Sequence, residues 1–300
     1  MAAEQTRHWC GELREHEPMS RHTSWRAGGP ARRYYTPVDA QDLSLFLQQL
    51  DPDEPLLWVG LGSNLLVRDG GFPGTVICLH TAVTDLEWLD TTTLRAGAGV
   101  TCAKAARIST RAGLAGIEFL AGIPGTIGGA LAMNAGAYGG ETWSHVAAVE
   151  TIDRAGRLHT RKPAEYRVGY RSVQGPAEEW FLAAHFALSQ ANAEQAQARI
   201  RELLTQRGMT QPVQQYSCGS VFRNPPGDHA ARLIEASGLK GLRIGGAQVS
   251  EKHANFIVNT GDATAADIET LLNKVQGTVE QQHGVRLQTE VRIVGEYAAG

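Results

Sequence analysis

Apolar and polar positions along the chain recur with one of two periods, and the switches between them lay out its elements. After a charged N-terminal stretch, MAAEQTRHWCGELREHEP, the pattern predicts a short strand at 34–37 and a helix over 39–50 with Leu43, Phe46, Leu47 and Leu50 on one face. Leu56–Val59, Leu65–Val67 and 74–79 read as strands, which makes an αβ unit. Short strands return over 86–99, and Thr101 stands where it can cap a helix, Cys102–Arg111, that Gly113 stops. A hairpin is expected from 149–152 and 158–160 with Asp153-Arg154-Ala155-Gly156 as its turn, followed by a strand at 180–188. At Ser189 the sequence turns to Ala, Gln and Arg, a helix-favouring composition, and a domain boundary is placed there. Beyond it Asp228 is expected to cap a helix ending at Ala236 before Gly238, and 256–259 to form a strand. Thr264 caps a long helix with Ile268, Leu271, Leu272, Val275 and Val279 at helical spacing, and 291–294 closes the chain as a strand.

Composition narrows the class. The 300 residues, 42% hydrophobic and 20% charged, suffice for two or three domains that each bury a core. A net charge of −3 supplies no basic field for nucleic acid or an anionic membrane, so any phosphate has to be met locally. Cys10, Cys78, Cys102 and Cys218 are scattered without a C-x-x-C pair or a zinc spacing, and read as reduced thiols with no metal site expected. The N-terminal stretch lacks an apolar signal core, and no apolar run reaches the roughly 18 residues that a membrane helix needs, so a cytoplasmic protein with no membrane insertion and no obligate protein partner is expected.

Candidate chemistry sits in a few segments. Residues 116–140, GIEFLAGIPGTIGGALAMNAGAYGG, are dense in glycine among apolar neighbours, and Glu118 is their only charge. Such backbone either lets a ligand approach closely or makes tight turns inside a sheet core. Gly60-Leu61-Gly62-Ser63-Asn64 joins two apolar strands and can present consecutive amides as an anion nest, or serve as a plain turn. It is no P-loop, because no Lys follows the second glycine and a strand comes next. Together the two loops suit a dinucleotide, with phosphates and flat rings. Tyr216-Ser217-Cys218-Gly219-Ser220-Val221-Phe222-Arg223-Asn224-Pro225 reads as a strand with a polar face. No nucleophile elbow surrounds Ser220, which argues against a hydrolase triad, but a hydroxyl can act as a general acid where nearby charges stabilise its alkoxide. Tyr166-Arg167-Val168-Gly169-Tyr170-Arg171 offers an Arg for a carboxylate or a surface charge. By position alone Glu290 is a solvated charge at a strand start, and His253 is a base or a local hydrogen-bonding group.

Taken in order, the motifs resemble the UDP-N-acetylenolpyruvoylglucosamine reductase family, nearly end to end. They are Thr23-Ser24-Trp25-Arg26-Ala27-Gly28-Gly29, 60–66, Gly122-Ile123-Pro124-Gly125-Thr126-Ile127-Gly128-Gly129, Met133-Asn134-Ala135-Gly136-Ala137-Tyr138-Gly139, Gly169-Tyr170-Arg171, Gly219 to Pro225, and Glu290-Val291-Arg292. The resemblance implies an α+β protein. Its FAD-binding fold is of the vanillyl-alcohol-oxidase type, with two αβ subdomains at 1–80 and 81–189, the first completed by the C-terminal strand within 286–300. A C-terminal αβ substrate-binding domain follows at 190–285. It implies non-covalent FAD held by Gly60, Gly62, Ser63, Asn64, Leu65, Gly122, Ile123, Pro124, Gly125, Thr126, Gly128, Gly129, Asn134 and Gly136. NADPH is the implied co-substrate, and the enolpyruvyl ether of UDP-N-acetylglucosamine the implied substrate.

In the implied reaction, reduced flavin gives hydride to C3 of the enolpyruvyl group while Ser220 protonates C2. Arg171 and Glu290 stabilise the enolate-like intermediate, Glu290 as a protonated acid. Tyr170, Arg223 and Asn224 hold the substrate's carboxylate or diphosphate. The short passage from Arg171 to Gly175-Pro176-Ala177 resembles the shorter form of the family, and no substrate lid is assigned. Cys218, close to Ser220, is expected to make the site sensitive to oxidants. Two rival readings remain. A sugar or lactone oxidase on the same fold would often tether FAD through a His that 60–64 lacks. A catalytically silent nucleotide-sugar binding protein would have no need of Ser220, Arg171 and Glu290.

Overall fold

Local rules account for most of the helices. In the computed structural model, which describes residues 8–298, the Thr101 hydroxyl accepts a hydrogen bond from the Lys104 amide, and helix α2 follows over Cys102–Arg111. Gly113, at φ +73°, takes the left-handed turn that ends it. Residues 1–7 of the charged N-terminal stretch and the last two of the 286–300 segment lie outside the described residues.

The chain forms two compact units. One comprises the chain up to Arg14, Arg33–Gly60 and Gly74–Leu204; the other comprises Glu15–Arg32, Leu61–Pro73 and the chain from Thr205 onward. In the first unit, the strand Leu56–Val59 pairs in parallel with Phe72–Cys78, Leu56 opposite Thr75 and Val59 opposite Cys78. On the other side of Phe72–Cys78 the sheet adds Pro30–Thr36, whose residues 33–36 belong to this unit. A five-stranded antiparallel sheet runs Leu158–Arg161, Val146–Asp153, Glu179–Ala187, Thr93–Gly97, Leu86–Trp88. The hairpin turns at the expected residues, with Gly156 at φ +76°. Helices α2 and α3 (Ile127–Met133) and the first part of α4 (Ala193–Thr210) contribute to its core, which includes Ala105, Ile127, Leu131, Val149, Phe186 and Ile200.

A buried acid ties the start of this unit together. Asp42, in helix α1 (Ala40–Gln48), is 6% exposed, and its carboxylate accepts from the Tyr35 hydroxyl at 2.5 Å and from the amides of Cys10, Val38 and Gly11 at 2.5, 3.0 and 3.3 Å. Burial alone would raise its pKa, but these donors hold it below the ordinary carboxylate value. The stabilisation is therefore fully present above the unfolded pKa of about 4 and is lost as pH falls through the lower folded value. An Asp42→Asn variant should be less stable near neutral pH by about 2 kcal/mol. In urea unfolding the gap to the wild type should close as pH falls below about 4; a gap that stays constant with pH would sink the assignment.

In the second unit, α5 (Ala230–Ala236) and α6 (Ala265–His283) pack with a sheet of Arg243–Ile244, Ala247–Val249 and Ile257–Asn259. The five apolar residues expected along α6 are all buried, each contributing up to about 1.5–3 kcal/mol. Thr264 and Asp267 form the capping box at its start. The Asp69 carboxylate adds bonds from the Ala265 and Ala266 amides at 3.0 and 2.8 Å, and Arg68 forks onto Glu269 at 2.9 and 2.8 Å. The closing strand, Arg292–Val294, pairs in parallel with Leu65–Val67, Arg292 opposite Leu65.

Two local expectations are corrected. Asp228 does not cap α5: its carboxylate is taken by the His229 amide and by Arg232, whereas Asn224 Oδ1 accepts from the Ala230 amide at 3.1 Å. Tyr216 to Pro225 is not a strand but an irregular segment with single bridges, Tyr216 to Asn259 and Phe222 to Thr289. Gly219 at φ +74° breaks the extended run.

Candidate active site

The residues singled out for chemistry divide between the two units. In the first, Gly60 packs directly on Thr126, since a Cβ on Gly60 would lie 2.4 Å from Thr126 Oγ1. Gly128 is pressed against Ala98 and Gly122 against the Tyr138 ring, with contacts of 3.0 and 2.9 Å for an added Cβ. Here glycine permits close packing of loop on loop and loop on strand. The amides at the start of α3 are partly spent inside the protein, Ile127 on Val100 O and Gly128 on Ala98 O, both at 2.9 Å. Upstream, Gly125 donates to Ile123 O and accepts from the Cys102 amide, and Pro124 is exposed. Gly129 is exposed, and a Cβ there would meet only Thr126 Oγ1 at 3.9 Å.

Asn134 and Arg171 form a connected group on the same unit. Asn134 ends α3 in the left-handed conformation, φ +41°, and is 1% exposed. Its Nδ2 donates to Glu141 Oε2 at 3.0 Å and Gly169 O at 3.2 Å, while its Oδ1 accepts from the Trp143 amide at 3.1 Å. It thus links the glycine-rich segment to the hairpin Arg167–Gly169 and Ser172–Gln174, whose turn carries Tyr170 and Arg171. Arg171, also left-handed at φ +52°, donates from Nη2 to Gly136 O at 2.8 Å and from Nη1 to Asn134 O at 3.5 Å. Its guanidinium lies 5.2 Å from the centre of the exposed Tyr170 ring.

In the second unit, Gly62 stands at φ +60° against the backbone of His22 and Thr23, and accepts from the Ser24 amide at 3.1 Å. The amides of Gly62, Ser63 and Asn64 make no hydrogen bond to any described residue. Successive unspent amides at a left-handed glycine are the chemistry of an anion nest, so this turn fits a diphosphate. Leu65 begins the adjoining strand, buried. Asn64 also reaches the other end of the chain: its Nδ2 donates to Glu290 O at 3.1 Å, and its carbonyl accepts from the Arg292 amide at 3.1 Å.

The Glu290 backbone is bonded to the residue that follows Ser220. The Glu290 amide donates to Val221 O at 2.9 Å, and the Arg223 amide to Gln288 O at 2.8 Å. Glu290 lies two residues before the closing strand and is half-buried. Ser220 is also half-buried, and its hydroxyl has no hydrogen-bond partner among the described residues. Arg223 has a buried Nε without a partner among the described residues, whereas the Asn224 side chain is engaged at the start of α5.

Cys218 overturns one expectation. It is 2% exposed, its thiol donates to Gly62 O at 3.4 Å and Leu65 O at 3.5 Å, and burial pushes its pKa up to about 12. Buried and held in this way, the thiol is shielded from oxidants in solution. His253 is a local group: its Nδ1 accepts from the Asn255 amide at 3.3 Å, its ring meets Phe256 edge-on, and burial lowers its pKa. The residue that sequence reasoning missed is Asn255, buried against the Ser220 segment. The available signal was an asparagine at each end of the apolar run Phe256-Ile257-Val258, since an amide flanking buried positions has to be hydrogen-bonded.

Comparison with known proteins matches both halves of this arrangement. Residues 31–161 match a family model described as FAD binding domain, and 211–294 one described as UDP-N-acetylenolpyruvoylglucosamine reductase, C-terminal domain. UDP-N-acetylenolpyruvoylglucosamine reductase of Alkalilimnicola ehrlichii is 60% identical over 296 residues, 99% of each chain. That of Methylococcus capsulatus is 59% identical over 289 residues, 96% of this chain and 95% of the relative. The crystal structure of the Thermus caldophilus reductase is 33% identical, with a TM-score of 0.80 over 95% of this chain and 98% of that one. An α+β fold with an FAD-binding domain, followed by the C-terminal domain of this reductase family, is therefore present.

Proposed function

We propose the following division of labour from the premise that this chain belongs to the UDP-N-acetylenolpyruvoylglucosamine reductase family. It is an FAD-containing oxidoreductase that reduces the enolpyruvyl ether of UDP-N-acetylglucosamine to UDP-N-acetylmuramate in peptidoglycan precursor synthesis. When bound, FAD would supply hydride-transfer chemistry between NADPH and C3 of the enolpyruvyl group. Ser220 gives a proton to C2, so hydride and proton together saturate the double bond. Arg171 stabilises the developing negative charge with its guanidinium, and Glu290 does so as a neutral acid donating a hydrogen bond. The 60–65 turn and the 122–136 segment hold the cofactor, the turn through its unspent amides, with Asn134 shaping the second loop from behind. Tyr170, Arg223 and Asn224 serve the substrate's anionic groups. Residues 1–80 with the C-terminal strand, together with 81–189, carry the flavin, and 190–285 carries the substrate. The enzyme works in the cytoplasm without an obligate protein partner or nucleic acid; among the described residues no helix is long and apolar enough to cross a membrane.

The observation that carries this reading is the Glu290 amide bonded to Val221 O, which sets Glu290 beside the residue following Ser220, whose hydroxyl has no hydrogen-bond partner among the described residues. Neither the oxidase nor the silent binding protein has a use for that pair. The test is anaerobic stopped-flow absorbance of the yellow protein reduced with NADPH and then mixed with the enolpyruvyl UDP-sugar. Rapid return of the oxidised flavin spectrum is expected, and acid denaturation should release FAD into the supernatant. If oxygen alone restores the colour, or if flavin stays with the precipitate, the reading fails.

A further inference from the structure

Asn255 is 3% exposed and hydrogen-bonds three times to the two residues after Ser220. Its carbonyl accepts from the Val221 amide at 3.0 Å, its Oδ1 accepts from the Phe222 amide at 3.0 Å, and its Nδ2 donates to Phe222 O at 2.8 Å. On the far side of the same stretch, Val221 O receives the Glu290 amide, and Phe222 bridges to Thr289. The segment is irregular and follows a left-handed glycine, so no continuous ladder fixes it in place. A side-chain amide is matched to the task because it offers a donor and an acceptor at once and mimics a peptide unit. With both polar atoms paired, it also carries no unsatisfied burial cost.

We propose that Asn255 is a positioning residue for proton transfer: by clamping Val221 and Phe222 it sets the height and register of Ser220 relative to Glu290. This rests on the proton-donor reading of Ser220. The clamp touches neither FAD nor substrate, and it acts on the half-reaction that needs the proton. Replacing the donor half in Asn255→Asp sets a carboxylate oxygen against Phe222 O, and Asn255→Ser shortens the side chain beyond reach of both Phe222 groups. A displacement of about 1 Å in a catalytic group costs about 100-fold in rate.

The experiment measures both half-reactions by anaerobic stopped-flow in Asn255→Ser, Asn255→Asp, Ser220→Ala and the double variant Ser220→Ala with Asn255→Ser. Amide hydrogen exchange over 219–223 is read in parallel on the same proteins. Expected for Asn255→Ser are flavin reduction by NADPH within about threefold of wild type, reoxidation by the enolpyruvyl substrate slowed about 100-fold, and exchange at Phe222 accelerated about tenfold. In the Ser220→Ala background the second substitution should slow reoxidation no further, because residues acting as a unit are not additive. Asn255→Asp provides the same readings should Asn255→Ser fail to fold. If Ser220→Ala alone reoxidises at the wild-type rate, the proton-donor reading falls. If Ser220→Ala is slow but Asn255 variants match wild type, or the two effects multiply, or both half-reactions slow alike, the positioning role falls while Ser220 stands.

Discussion

A Ser220→Ala enzyme is expected to reduce its flavin with NADPH at nearly the wild-type rate and to pass the hydride on about 10²–10⁴ times more slowly, the usual contribution of a positioned general acid. Hydride transfer from nicotinamide to flavin creates no charge at C2, so it needs no proton from Ser220. Transfer to C3 leaves an electron pair at C2 beside the carboxylate, and without a donor that carbanion has to wait for water. The rate loss corresponds to about 3–5 kcal/mol in the barrier. Folding should hardly change. The Ser220 hydroxyl makes no bond within the described protein, and the neighbouring backbone bonds through Val221 survive the substitution. Melting temperature and flavin spectrum serve as controls. An alanine variant that reoxidises within threefold of wild type would remove Ser220 from the chemistry.

Gly62→Ala is expected to cost the protein its flavin and much of its stability. A Cβ at this position would sit 2.0 Å from His22 O and 2.8 Å from Thr23 Cα, both backbone atoms, and the residue holds φ +60°. The left-handed conformation alone costs an alanine about 1–2 kcal/mol. Relieving the overlap requires the loop or the 22–24 turn to move, which places the total above about 3 kcal/mol. Movement of the loop also scatters the Gly62, Ser63 and Asn64 amides, and with them the proposed diphosphate nest. The purified variant should show a low ratio of flavin to protein absorbance and a lowered urea midpoint. Gly277→Ala is the contrast: in exposed helix with nothing within 4 Å of the added Cβ, it should be neutral or stabilising by up to about 1 kcal/mol. Full flavin occupancy in Gly62→Ala would show that the turn does not hold the cofactor.

The sequence was most legible where a local rule suffices. Thr101, Gly113, Thr264 and the α6 stripe each follow from a cap, a left-handed stop or a 3.6-residue period, all set within a few neighbours. Reading failed where another partner competes for the same group, whether a few residues away or far along the chain. Asp228 has the right composition for a cap, but the Arg232 guanidinium takes its carboxylate and Asn224 supplies the acceptor instead. The 216–225 segment has strand-like alternation, yet the Gly219 turn and the Asn255 clamp hold it as an irregular tract.

The same division holds for the site. The ordered motifs, from Thr23 to Arg292, identify the family, because glycines at fixed offsets and a Ser, Arg and Glu in fixed order leave few alternatives. What they did not contain was the reason for each spacing. That Thr23-Ser24 buttresses Gly62, that Asn64 holds the carbonyl of Glu290, and that Asn255 clamps the neighbours of Ser220 are contacts between residues as many as 226 positions apart. Periodicity and capping are written in the chain because they are energies between near neighbours. Register between distant segments comes from the satisfaction of buried amides and carbonyls, and only the folded chain decides which of them meet.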